Sequence, residues 1–198
     1  MPVLLAESVL DLQRQDLAHR SPIKRPEREH ARTPGIHLSG VLVKVAESIG
    51  VLKPGEPIEE DLPLRVVAGH MWEEFAVSLY PGIVWQPGET CVDEVWMTPD
   101  GLEADLLDGH DALHEFKCTW KKVRSGPDLL AEWYWMAQGK GYCKGYGVRH
   151  VKWHVFYVNG DYRNSGPMYK TYTVEFSEKE IEQSWRMVLN HKHLAIPE

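Results

Sequence analysis

Met97-Thr98-Pro99-Asp100-Gly101-Leu102 and, further on, His114-Glu115-Phe116-Lys117-Cys118-Thr119-Trp120 are the segments of this chain in which ionisable groups and strand pattern coincide. Leu102 to Leu107 and Ala112 to Trp120 alternate in polarity, and Asp108-Gly109 between them is a turn signal, so the sequence predicts two strands joined in a hairpin. Strand residues two apart leave the same face, which aims the Glu115 carboxylate and the Lys117 ammonium at one volume. Asp100, at the far end of the hairpin, brings a second carboxylate towards them. Two hard anionic oxygen ligands suit Mg²⁺ or Mn²⁺ and leave positions for water and a phosphate oxygen. Lys117 would then orient that water or stabilise its deprotonated form. Taken alone, Glu115-Phe116-Lys117 reads more readily as a solvated, salt-bridged strand face than as a site.

Working outward, the pattern before this hairpin is helical from Leu64 to Tyr80, with Val67, Met71, Phe75 and Leu79 at spacing four and Pro81-Gly82 as the stop. Cys91 to Met97 reads as a further strand, making a β-meander with the hairpin. Upstream, Val3 to about Ala18 is expected to be a helix, and Ser39 is placed to cap a short helix through Ile49. The proline-rich, basic stretch from His19 to Pro34 and the segment Lys53 to Pro63 read as loops. Downstream, a helix is expected over Leu129 to about Lys144 and strands over His150 to Val158 and Tyr169 to Phe176. Ser177 with Glu180 forms a capping-box pattern for a closing helix to about Leu189. Helices and strands in this order suit an α/β fold, a central mixed sheet flanked by helices on both faces.

The 198 residues, 43% of them apolar, fit one domain, with residues 1–63 as an N-terminal helical and loop extension. A formal net charge of −7 argues against a protein that coats nucleic acid through a basic surface, so any DNA contact must be local. Three dispersed cysteines, Cys91, Cys118 and Cys143, form neither a disulfide framework nor a C-x-x-C zinc pair, and they fall one short of a four-thiolate iron–sulfur cluster. The sequence has no stretch approaching ~18 apolar residues and no leader-like amino terminus, so a cytoplasmic protein, in the host cytoplasm if viral, is expected.

Thr98-Pro99-Asp100-Gly101-Leu102 followed by Glu115-Phe116-Lys117 resembles the signature of PD-(D/E)XK nucleases, particularly the exonuclease of bacteriophage lambda, the YqaJ-type viral recombinases and RecB-like nucleases. Gly69-His70-Met71-Trp72-Glu73-Glu74 is similar to the family's preceding helix, and Met136-Ala137-Gln138-Gly139-Lys140-Gly141-Tyr142 to its following one, where Gln138 and Tyr142 share a face. The resemblance implies a restriction-endonuclease-like core and a Mg²⁺- or Mn²⁺-dependent deoxyribonuclease. Asp100, Glu115, Lys117 and Glu73 would be catalytic, and Glu73, Asp100, Glu115 and the backbone carbonyl of Phe116 would be metal ligands.

Asp105 competes with Asp100, and Glu74 with Glu73; His70 is an alternative metal ligand. Adjacent helix residues point about 100° apart, so only one of the two glutamates can face the site well. Arg32-Thr33-Pro34-Gly35-Ile36-His37-Leu38-Ser39 is similar to the region where lambda-like exonucleases hold a 5′ phosphate, which makes Arg32 and Ser39 candidate DNA contacts beside Gln138, Tyr142, Lys121, Lys122 and Lys140. A cap for Ser39 and solvent exposure for the basic residues are the plain alternatives. The expected activity is exonucleolytic, on duplex DNA ends during phage or bacterial recombination or end processing. The other readings are an endonuclease of the same fold and a non-catalytic nucleic-acid-binding protein. A homo-oligomer and a single-strand-annealing partner protein are further implications of the resemblance.

Overall fold

The computed structural model describes residues 1–10, 32–53, 63–107, 110–160 and 166–196. Its centre is a six-stranded sheet built from β1 (Val3–Leu10), β3 (Val84–Trp85), β6 (Gly101–Leu107), β7 (His110–Thr119), β8 (His150–Tyr157) and β9 (Met168–Glu175), in the order β1-β9-β8-β7-β6-β3. Neighbours are antiparallel except β7 and β8, which run parallel. Parallel neighbours need a crossover, and the chain between them forms α3 (Gly126–Leu130) and α4 (Trp133–Tyr146). The sheet is therefore mixed, as expected.

Alternation along the strands gives the sheet two apolar faces. Leu113, Val151, Trp153, Val155, Tyr157, Tyr172 and Val174 face one core with residues of α4, α1 (Leu38–Ser48) and α5 (Glu178–His191). Phe116 and Tyr169 face the other, where α2 (Pro63–Val77) contributes Trp72 and Ala76. A second, three-stranded sheet holds β2 (Ile36–His37), β5 (Val95–Met97) and β4 (Thr90–Val92), in that order. The α5 capping box is present as read: the Ser177 hydroxyl accepts from the Glu180 N–H, and the Glu180 side chain accepts from the Ser177 N–H.

Several elements differ from expectation. Val3–Leu10 is a strand, not the start of a helix, pairing antiparallel with β9 through contacts such as Glu7↔Tyr172; residues 11–18 of the expected helix lie outside the described residues. The Cys91 to Met97 strand is a hairpin of β4 and β5. Its two-residue turn, Asp93-Glu94, has φ of 48° and 67°, the positive values that right-twisted hairpins favour. Ser39 does not cap α1: the helix leaves β2 directly, with His37 at the N-cap position and no side-chain cap bond. On α2, Val67 and Met71 are exposed, while Trp72 and Ala76 form the core with Phe75 and Leu79 packed against it. A strict spacing of four drifts by about 40° per step round a helix, so the four apolar residues do not form one inward stripe. The Asp108-Gly109 turn and most of the loops expected over 19–34 and 53–63 lie outside the described residues.

Candidate active site

The hairpin of β6 and β7 sets the geometry. Gly101 pairs with His114, which leaves Asp100, just ahead of β6, opposite Glu115. The Phe116 N–H donates to Asp100 Oδ2 at 2.8 Å, and the Asp100 N–H reaches Glu115 Oε1 at 3.4 Å. Gly101 is required by close packing: a Cβ there would stand 2.5 Å from Ile83 Cγ2 and 3.3 Å from His114 Cβ. The dipeptide Asp100-Gly101 thus joins a carboxylate to the backbone space that lets β3 close over it.

Glu115 is 1% exposed, and its Oε2 lies 3.1 Å from Lys117 Nζ. Lys117 Nζ also donates to Gln138 Oε1 at 3.0 Å, and Gln138 Nε2 donates to the Tyr142 hydroxyl at 2.8 Å. Both α4 residues are buried. Gly139 lets the helix come this close, because a Cβ there would meet the Trp153 ring at 2.7 Å. From the other side of the sheet, α2 brings Glu73, whose Oε1 accepts from the Trp85 indole at 2.7 Å and from the Gln86 amide at 3.4 Å. His70 Nδ1 stands 3.8 Å from Glu73 Oε2.

Burial holds the Asp100 carboxyl well above the usual carboxylate range, and the negative charges of Glu115 and Glu73 add to the effect; Lys117 and the Phe116 N–H oppose it. Glu115 is raised for the same leading reason, with Lys117 as the main opposing influence. Burial, then Glu115 and Asp100, also raises the Tyr142 phenol well above its ordinary value. Three acidic side chains thus influence one another electrostatically, with Lys117 as the nearby cation. Among the described residues, no group of three or more His, Cys, Asp or Glu side chains is arranged to hold a metal ion. The chemistry of Asp100 and Glu115, hard oxygens with raised proton affinity, nevertheless suits a Mg²⁺ or Mn²⁺ ion that would replace the proton.

The other candidates divide. Arg32 and Ser39 line a cavity of about 70 Å³ together with His37, Trp96, Gln138 and Tyr142, so that cavity shares two residues with the Lys117 hydrogen-bond chain. Lys121 instead pairs with Glu132 at 3.1 Å and sits over the Trp135 ring. Lys122 is exposed. Lys140 does not join the cluster: it lies over Phe176 and lines a separate cavity between α4 and α5, because it is about 200° round α4 from Gln138. Asp105 lies on β6 but its side chain is outside the described ones; Glu74 is half-buried. Trp85, Gln86 and His37 were not singled out by sequence reasoning, since nothing local marks a tryptophan or glutamine as the partner of a distant glutamate.

The mixed sheet with carboxylates and a lysine on its central hairpin, crossed by one helix bearing a glutamate and another bearing glutamine and tyrosine, is a fold that the chain shares with solved exonuclease structures. Among solved structures the chain is similar to the alkaline exonuclease LHK-Exo from Laribacter hongkongensis, with a TM-score of 0.51 and 13% identity over 81% of this chain and 87% of that one. The structure of LHK-Exo in complex with dAMP gives a TM-score of 0.50 with the same identity and coverage. A phage-related exonuclease from Haemophilus somnus 129PT gives a TM-score of 0.48 and 9% identity over 79% of each chain. No family model matches the sequence, and no curated protein matches it. The similarity to LHK-Exo is one of fold.

Proposed function

We propose that this chain is a Mg²⁺- or Mn²⁺-dependent deoxyribonuclease acting as an exonuclease on duplex DNA ends, in phage or bacterial recombination or end processing. The observation that carries the reading is the convergence of Asp100, Glu115 and Lys117 on the central hairpin. Asp100 and Glu115 would hold the ion, with Glu73 and the Phe116 carbonyl as further ligands. An ion held by these residues would supply charge neutralisation of the phosphodiester and of the departing oxygen and would lower the pKa of a water. Lys117 is held between Glu115 and Gln138, a restraint that aims its ammonium group at one place. There it orients the attacking water and favours its deprotonated form.

Arg32 and Ser39, which line the small cavity, would take a terminal phosphate beside Gln138 and Tyr142. The fold similarity to an exonuclease captured with dAMP supports a nucleotide monophosphate in such a site. The test is release of acid-soluble nucleotides from linear and covalently closed circular duplex DNA with Mg²⁺ or Mn²⁺. The expected result is digestion of the linear form only, slowed at least about 100-fold by Lys117→Ala. Digestion of the closed circle would make the enzyme an endonuclease, and equal rates for wild type and Lys117→Ala would end the catalytic reading.

A further inference from the structure

β3 is a two-residue edge strand, Val84–Trp85, paired among the described residues only with the start of β6 through Val84↔Leu102 and Trp85↔Gly101. So short an element has little stability of its own, yet it is fixed at several points beside Asp100. The Gln86 N–H donates to the Asp100 carbonyl at 2.9 Å, Ile83 packs into the space left by Gly101, and Gln86 accepts a φ of 47°. Positive φ is uncommon outside glycine and needs surrounding contacts to hold it. From this anchored strand the Trp85 indole N–H reaches Glu73 Oε1 at 2.7 Å, the shortest of the contacts to that carboxylate.

The geometry points to Trp85 as a positioning residue that aims the Glu73 carboxylate at the divalent-ion site, with Gln86 as its auxiliary; the inference rests on the nuclease reading above. A glutamate on a helix turns about its side-chain bonds among several rotamers. An indole is a donor only, so it selects the rotamer in which one carboxylate oxygen meets it. Being neutral, it does so without cancelling the charge that a cation needs. The second oxygen, which has His70 Nδ1 at 3.8 Å, would be the one to face the ion. Because β3 is tied to Asp100, the same strand sets the distance between the helix-borne and hairpin-borne carboxylates. Hydrogen-bonded partners of metal ligands typically change affinity by about 10- to 100-fold when removed.

The experiment is Mn²⁺ titration of the full chain, reading free Mn²⁺ by its paramagnetic resonance signal, alongside thermal melting. Trp85→Phe keeps the ring and removes the N–H; it is expected to weaken Mn²⁺ binding about 10-fold with an unchanged melting temperature. In a Glu73→Gln background the same change is expected to add no further loss, a coupling that lost packing alone would not produce. Trp85→His, smaller but able to donate, is expected to bind Mn²⁺ more tightly than Trp85→Phe. It decides the matter should Trp85→Phe prove unstable, because a packing role makes the smaller ring the worse variant. Trp85→Phe binding Mn²⁺ like wild type while Glu73→Gln binds weakly would overturn the inference and leave the nuclease reading intact. Absence of Mn²⁺ binding by the wild type would overturn both.

Discussion

The main-chain N–H of Phe116 donates to Oδ2 of Asp100 at 2.8 Å, so the strand that carries Glu115 and Lys117 also grips the carboxylate of its neighbour. One protein group thereby restrains an acidic side chain that burial and two like charges push towards its neutral form. The restraint keeps that side chain in place even while its charge is unfavourable.

Stability without metal is expected to fall with rising pH at this site. The unfolded chain releases the Asp100 proton near the ordinary value of 3.8, whereas the folded state holds it to a higher pH. The folded state therefore gains from the bound proton below the unfolded value and loses that gain as pH rises through the folded value, by about 1.4 kcal/mol per unit of elevation. Asp100→Asn, whose amide oxygen can still accept from Phe116, is expected to remove this component and to melt higher than wild type in chelator at neutral pH. Saturating Mn²⁺ should raise the melting temperature of the wild type and much less that of Asp100→Asn. Melting curves of both proteins in chelator between about pH 4 and about pH 8 test it, and a difference independent of pH would refute it.

Gln138→Leu is expected to lower kcat on linear DNA about 10-fold with little change in melting temperature, because Lys117 loses the acceptor that fixes its direction. Tyr142→Phe acts one bond further away, by removing the oxygen to which Gln138 donates, and should cost about 3-fold. Steady-state rates at saturating DNA and metal distinguish the two, and a Gln138→Leu enzyme as fast as wild type would show that Lys117 is held by other means.

Gly101→Ala should destabilise the protein by about 1–3 kcal/mol, since the new Cβ would need Ile83 or the β6–β7 pairing to move. Combining it with Ile83→Ala is expected to return part of the loss. Denaturant unfolding of the single and double variants checks this: strictly additive losses would mean that Ile83 is not the obstacle.

The parts that were legible in the sequence are those whose determinants are local. Ser177 and Glu180 announce α5 because both halves of a capping box lie within one turn. The β6–β7 hairpin is marked by alternation on either side of a turn signal. β1 was not legible as a strand, because its partners on β9 lie between 159 (Leu10↔Tyr169) and 172 (Val3↔Glu175) residues away and Leu4, Leu5, Val9 and Leu10 fit a helical stripe when read alone. Ser39 resembled a cap because its residue type suits one; pairing of β2 with β5 instead starts the helix at Leu38. Within the site, spacing two put Glu115 and Lys117 together, whereas the meeting of Glu73 on α2 with the Trp85 indole on β3 is a long-range contact that no spacing encodes.

The face of β7 and β8 away from Lys117 carries a buried polar chain that makes a prediction of opposite sign to that for Asp100. His114 Nδ1 meets His154 Nε2 at 2.8 Å, His154 Nδ1 meets the Tyr169 hydroxyl at 2.5 Å, and that hydroxyl meets Tyr80 at 2.7 Å. Burial, then Lys152, pushes His114 down to about 3; burial, then His114 and Lys152, holds His154 well below the usual histidine value. Glu103 Oε2 lies 3.2 Å from His114 Nε2. The unfolded chain takes up these protons near 6.5 while the folded chain refuses them, so the stabilisation is full above that value and is lost as pH falls towards the folded values. The loss amounts to about 1.4 kcal/mol per pH unit for each proton taken up. His154→Phe leaves His114 Nδ1 without its partner and should cost about 1–3 kcal/mol at neutral pH. It should also flatten the decline between about pH 6.5 and about pH 5 by removing one of the two titrating rings. The measurement is the unfolding free energy of both proteins across that interval, with Asp100→Asn in each background so that the carboxylate component cancels; equal slopes would mean that His154 is not what resists the proton.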